Sequence, residues 1–247
     1  MSQLDLAVDA DISTRHLSFV ESGRSQPSRE MLLHLAERLD VPLRERNLLL
    51  VSAGYAPVFA ERSITDPALA PARKAIELVL KGHEPYPALA IDRHWTLVEA
   101  NAAVAPLLAS ADPALLEPPV NVLRLSLHPQ GLAPRIANLA EWRSHLLERL
   151  RRQIDISADP VLVALLKELR ALPAPSPMRR PPPPTADYAG VVLPFQLVTD
   201  GGVLSFLSTT TVFGTPVDVT LSEIALESFF PADRATAEAL KRLSSQV

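Results

Sequence analysis

From Met1 to Tyr55 apolar residues recur at helical spacing, interrupted by short polar breaks. Ser2 can cap a first helix carrying Leu4, Leu6 and Ala7, which stops at Ala10-Asp11-Ile12. Ser13 caps a second, with Leu17 and Val20 on one face and Thr14, Arg15, Ser18 and Ser22 on the other. Gly23 is placed to end it in a left-handed turn. Pro27-Ser28 opens a third helix, whose stripe is Met31, Leu32, Leu35, Ala36 and Leu39. After the break at Val41-Pro42, a fourth carries Leu43 and Leu48 to Leu50 and stops at Gly54. The pattern predicts a small all-helical domain over residues 1–55.

Residues 56–71 read as a stiff linker, because Pro57, Pro67 and Pro71 recur among small residues. Beyond it the periodicity becomes mixed. A helix through Ile76, Val79 and Leu80 ends at Gly82, and Ala88–Ile91 and Thr96–Ala100 are short strands around Asp92-Arg93-His94. A helix begins near Asn101, its expected N-cap. Two longer ones run from Pro134 to about Gln153 and from Pro160 to about Leu172. The proline-rich stretch 173–184 predicts an extended loop. Strands follow at Val191–Val198, Val203–Phe213 and Val217–Leu221, with a closing helix from about Pro231. The expected fold class is α+β: a helical head, then residues 72–247 with an antiparallel sheet and flanking helices.

Composition narrows the function. Hydrophobic residues make up 47% and charged residues 21%, values of a folded soluble chain. There is no cysteine, which excludes disulfides, thiolate metal sites and cysteine nucleophiles, and fits a reducing cytoplasm. The polar start is no secretory signal, and no apolar run approaches the roughly 20 residues that span a bilayer, so no membrane role is expected. The net charge of −4 gives no global attraction to nucleic acid, so any DNA contact must be a local patch. Enzyme readings find little support. The histidines show no HxxxH or HxH spacing, Gly201-Gly202 is an isolated turn pair, and no nucleophile-elbow motif is present. No catalytic residue, metal or cofactor is expected.

Ser2-Gln3, Leu6-Ala7, Ala10 to Ser13, Leu17-Ser18, Glu21 to Arg24, Pro27-Ser28, Leu32-Leu33, Leu35-Ala36 and Leu39 to Val41 closely resemble the Cro/CI-type helix-turn-helix of the XRE family. The resemblance implies that the helix opened by Ser13 enters the major groove of double-stranded DNA. Thr14, Arg15 and Ser18 would then face bases, with His16 nearby, while Gln3, Ser22 and Arg24 hold the backbone. Arg15 is the leading base reader, since a guanidinium can bond two acceptors on guanine. The plainer reading is that Ser13 only caps a helix and Arg15 and His16 form a solvated face. Glu21 reads as structural, paired with an arginine. Asp11 stands where the family usually has glycine, and aspartate tolerates left-handed geometry better than most residues. The family also has a helix before the one at Ser2. Without it, Leu6, Leu17 and Leu35 are expected to be partly exposed, and the domain carries six arginines against eight acids.

Residues from about 72 to 243 resemble the ligand-binding domain of MmyB-like transcription regulators, a PAS-like module. The matching stretches are Pro87 to Leu89 through Trp95 to Asn101-Ala102, Asn121, Arg124, His128-Pro129, Gly131, Trp142, and Leu204 to Phe206 through Thr215 to Val217. The resemblance implies a cavity for a small apolar ligand of fatty-acid type. Trp95, Phe195, Phe206 and Phe213 can wall such a pocket, although each also fits an ordinary sheet core. Arg124 and His128 can fix a carboxylate head; alternatively Arg124 pairs with an acid and His128 caps a loop. The expected function is a homodimeric, ligand-responsive DNA-binding regulator. The rival is a ligand-binding or protein-interaction module that has lost DNA binding.

Overall fold

The computed structural model describes residues 2–173 and 193–244. Most of the loop expected at 173–184, and the start of the strand expected at Val191, lie outside them. The chain divides into two compact units. One comprises residues 1–69 with Phe213–Glu223, and the other Ala70–Val212 with residues 224–247.

The first unit holds α1 (Gln3–Asp9), α2 (Thr14–Glu21), α3 (Arg29–Arg38) and α4 (Leu43–Ser52). Ser2, Ser13 and Ser28 each cap the helix that follows, accepting from a backbone N–H three residues on. All four helices end alike. The chain turns left-handed at Asp11, Gly23, Asp40 and Gly54, and the next N–H closes onto the carbonyl five residues back, as in Ile12 to Ala7 and Arg24 to Phe19. Two aspartates thus do what two glycines do, and Asp11 makes the turn expected of it. Leu6, Leu17 and Leu35 are buried together with Ala7 and Ala10, contrary to the exposure expected of them. The three helices shield one another, and on α1 the exposed apolar side chains are instead Leu4 and Val8.

The stretch 56–71 is not a free linker. The Asn47 side chain holds Val58 and Phe59 by three hydrogen bonds. Asp218, almost wholly buried, accepts from Arg62 at 2.9 Å and caps a short helix in place of the strand expected at Val217–Leu221. Arg44 adds a bidentate bond to Glu223 and an ion pair with Glu61 at 2.6 Å.

The second unit begins with α5 (Ala70–Gly82) and a hairpin of β1 (Ala88–Ile91) and β2 (Leu97–Ala100). Short helices α6 (Ala105–Leu108) and α7 (Val122–Leu127) lead to α8 (Leu139–Ser157) and α9 (Pro160–Ala171). Strands β3 (Phe195–Thr199) and β4 (Gly202–Val212) form a second hairpin. The chain then passes through α10 (Val219–Ser222), in the first unit, to β5 (Ala225–Pro231) and α11 (Arg234–Ser244). The sheet is antiparallel throughout, in the order β2-β1-β5-β4-β3, which is the PAS-like arrangement. Its main core joins Ile91, Phe206 and Leu197 of the sheet to Leu146, Leu150, Leu162 and Leu169 of α8 and α9.

Two expectations change here. β5 sits mid-sheet, where Leu226 and Glu227 are both buried, so it lacks the alternation that reveals a half-exposed strand. Asn101 is not a helix cap. Its buried amide accepts from Ala88 N–H and donates to the carbonyls of Leu80 and Tyr86, tying α5 to the first hairpin. Asn101→Ala strands those buried groups and should destabilise the chain by about 2–4 kcal/mol, measured as a fall in urea midpoint. A change within experimental error would show that the bracket contributes nothing.

Candidate functional site

A hairpin turn positions the first wall of the second unit's interior. Asp92 accepts from the backbone of His94 and Thr96, forcing the chain to reverse within three residues. Trp95 closes the turn with a φ of 66°, a left-handed geometry that bulky residues rarely adopt. Several bonds hold it there. The indole donates to Gln153 at 2.9 Å, Gln153 donates back to the Arg93 carbonyl, and Asn121 donates to the His94 carbonyl. His94 also meets Asp159 at 2.9 Å, and the His94 and Arg93 side chains keep that carboxylate ionised against its burial. The strain buys one thing: the indole is aimed inward.

Behind Trp95 lies an apolar cavity of about 110 Å3 between the sheet and helices α6, α7 and α8. Leu89, Leu108, Leu132, Trp142, Phe195 and Phe229 are among its wall residues. A smaller cavity of about 70 Å3 shares Leu89, Val104, Leu108, Leu132, Phe195 and Phe229 with it and extends toward Phe206. An apolar hole of about 150 Å3 already admits a benzene-sized molecule, so the pair is on the scale of a small apolar ligand.

Polar groups in this wall are few. Arg149, on α8, lies over the Trp95 ring at 4.6 Å and bonds to Glu227 on β5 and to the Thr210 hydroxyl on β4. Ser208 and Ser126 complete the set, Ser126 accepting from the Trp142 indole. His145 stacks on Trp142; burial pushes its imidazole below the ordinary value, and the Arg149 and Arg152 guanidiniums add to that.

The expected ligand residues are thereby sorted. Trp95 and Phe195 line the larger cavity, and Phe206 the smaller. Phe213 lies just past the end of β4 and belongs to the first unit. Arg124 is turned to the surface, in a bidentate pair with Glu168 at 2.6 and 2.8 Å. His128 ends α7 and accepts from the Gln130 N–H through Nδ1. Neither lines either cavity; the cation in the larger cavity's wall is Arg149. Sequence reasoning also missed Trp142, Glu227 and Phe229 as wall residues. The only available signal was an arginine inside the apolar stripe of α8, one turn from Leu146 and next to Leu150.

On the first unit, α2 buries Leu17 and presents Thr14 and Arg15 to solvent, with Ser18 half-exposed. Arg15 rests over its own helix's Phe19 at 5.3 Å, a contact worth only about 0.5–1 kcal/mol at an exposed site. His16 is half-buried against Met31. Ser13 spends its hydroxyl on the His16 N–H, and Ser22 spends its own on the Ser18 carbonyl. Gln3 donates to Glu21, which therefore pairs with an amide and not with an arginine. Arg24 is exposed.

Among the described residues, no helix is long and apolar enough to cross a membrane. Comparison with known proteins finds a model of the MmyB-like transcription regulator ligand binding domain over residues 72–243 and a helix-turn-helix model over residues 1–46. No curated protein sequence matches. Among solved structures, one described as "Structure of an RNA-binding Light-Oxygen-Voltage Receptor" shares 12% identity at a TM-score of 0.26, covering 99% of this chain and 64% of that one. That likeness is too weak to carry an argument. The domain match spans well over half of the chain and coincides with the cavity-bearing unit: the protein belongs to the MmyB-like transcription regulators, in which a DNA-binding helix-turn-helix is joined to a ligand-binding domain.

Proposed function

We propose that the cavity behind Trp95 takes a small, mainly apolar ligand, and that its occupancy changes the affinity of the helix-turn-helix for its operator. The carrying observation is the cavity itself, walled mainly by aromatic and leucine side chains in the domain that the family match covers. A small, fatty-acid-like body fits that lining, because nearly all of the wall is hydrocarbon. Ligand and DNA are coupled reciprocally, and the typical coupling of about 1–3 kcal/mol would change operator affinity about 5- to 150-fold. A route for it is available in the chain's order. Ser208 and Phe229, both at the cavity, lie on β4 and β5, and the residues joining those strands, Phe213–Glu223, are part of the DNA-binding unit.

In the DNA-binding half, Thr14, Arg15 and Ser18 are read as the base-facing group, with Arg24 beside the phosphates. The exposure of Thr14 and Arg15 and the loose seat of Arg15 on Phe19 support this. Gln3, Ser13, His16 and Ser22 are read mainly as supports, since each is engaged within the unit. The protein is read as a homodimer, which would place half-sites about 34 Å apart or a multiple of that.

Arg15→Ala should weaken specific binding to the protein's own promoter by about 1–3 kcal/mol in a gel shift, with non-specific binding little changed. Equal affinity for the specific site would remove Arg15 from the groove. Denaturing mass spectrometry of the purified chain should release an apolar small molecule. Leu132 borders both cavities, so Leu132→Trp should fill them and cut the released amount about tenfold or more while the circular dichroism spectrum is kept. A folded variant that carries as much ligand as the parent would place the ligand elsewhere.

A further inference from the structure

The wall's one charged pair has a balance that bears on the ligand's polar end. The Glu227 side chain is only 7% exposed, on a strand buried on both faces. Both of its hydrogen bonds among the described residues, from Arg149 and from Thr210, end on Oε1, and Oε2 takes none from them. Arg149 donates to Glu227 and Thr210 through Nη2 alone, and its Nε and Nη1 donate to no other described residue. The Ser208 hydroxyl, in the same wall, is likewise unused among the described residues. Arg149, Glu227 and Ser208, all in the wall of one apolar space, therefore keep unspent donors and an unspent acceptor among the described residues.

We propose that the ligand is an uncharged amphiphile whose head group both donates and accepts a hydrogen bond, an alcohol or a primary amide, held by Arg149, Glu227 and Ser208. The inference rests on the cavity being the ligand site, and it names the ligand's chemical class. Arg149 and Glu227 sum to zero charge, and a neutral head leaves that sum intact while using the free N–H groups, the free Oε2 and the hydroxyl. A carboxylate head brings a second anion beside a buried one. It must either share Arg149 against that repulsion or take Arg149 away, leaving Glu227 buried with Thr210 as its remaining partner. An ammonium head meets the Arg149 cation in the same way. The neighbours do not reverse the balance: His145 is held toward its neutral form, and Arg152 pairs with Glu148 on the exposed side of α8.

Both tryptophans of the chain, Trp95 and Trp142, line the cavity, so intrinsic fluorescence reports on its filling. The full chain, freed of bound lipid, is titrated with 1-octanol, octanamide and sodium octanoate at about pH 8, where octanoate is ionised as any simple carboxylate is. Octanol and octanamide should bind about tenfold or more tighter than octanoate. Glu227→Gln should strengthen octanoate about tenfold and leave octanol within a few-fold, because it removes the repelling charge and keeps an acceptor. Ser208→Ala, at a half-exposed position that asks little of folding, should weaken octanol and octanamide and leave octanoate unchanged. Octanoate binding as tightly as octanol to the parent chain overturns the head-group assignment and leaves the cavity reading standing. So does an octanoate-to-octanol ratio unmoved by Glu227→Gln. Unchanged fluorescence with all three probes overturns the cavity reading itself, and the head-group assignment falls with it.

Discussion

A helix laid over a sheet with space left between them cannot rely on close packing at that point, and here a polar clasp supplies the missing hold. The larger void forgoes about 2–3 kcal/mol of packing, at roughly 24 cal/mol per Å3. Across it, Arg149 of α8 reaches Glu227 and Thr210 on the two central strands, and Gln153, one turn on, receives the Trp95 indole. These bonds span the opening that dispersion contacts cannot. They also fix where the opening is, because the arginine and the indole stack on each other at its edge. The strained turn at Trp95, the burial of Glu227 and the orientation of α8 all follow from keeping that clasp closed.

The clasp also explains why the interior can stay both stable and receptive. Each charged or polar member has partners before any ligand arrives, so no buried charge waits uncompensated. Arg149 and Glu227 also keep hydrogen-bonding capacity that no other described residue uses. A site of this kind adds interactions on binding without first breaking any, which limits the reorganisation that would otherwise weaken affinity.

The helical head was largely legible in the sequence because its signals are local. Ser2 and Ser13 read as caps and act as caps, and Gly23 and Asp11 make the turns expected of them. The hairpin strands β1, β2 and β4 were legible for the same reason. β5 was not. A strand buried on both faces shows no alternation, and an acid at its centre reads as a loop until its arginine is found on a helix 78 residues away in sequence. The placing of Arg124 at the surface has the same origin. Arg124 on α7 and Arg149 on α8 both sit among leucines, and only tertiary contact tells which one lines the cavity. The expected exposure of Leu6, Leu17 and Leu35 failed because the mutual cover among three short helices is not a property of any one of them.

The segment Phe213–Glu223 has a consequence for how the protein can be divided. Its chain neighbours on both sides are strands of the ligand-binding sheet, yet Asp218 is neutralised by Arg62 and Glu223 by Arg44, both from the N-terminal sixty-odd residues. The two modules are thus interleaved and not strung end to end. Cutting before Ala70 would leave the sensor carrying an orphaned loop, with Asp218 stripped of Arg62 and the apolar Val219 uncovered, and the head without its fifth packing element. A transplanted reading head would therefore have to bring this insert with it, so the natural unit of exchange is the whole chain.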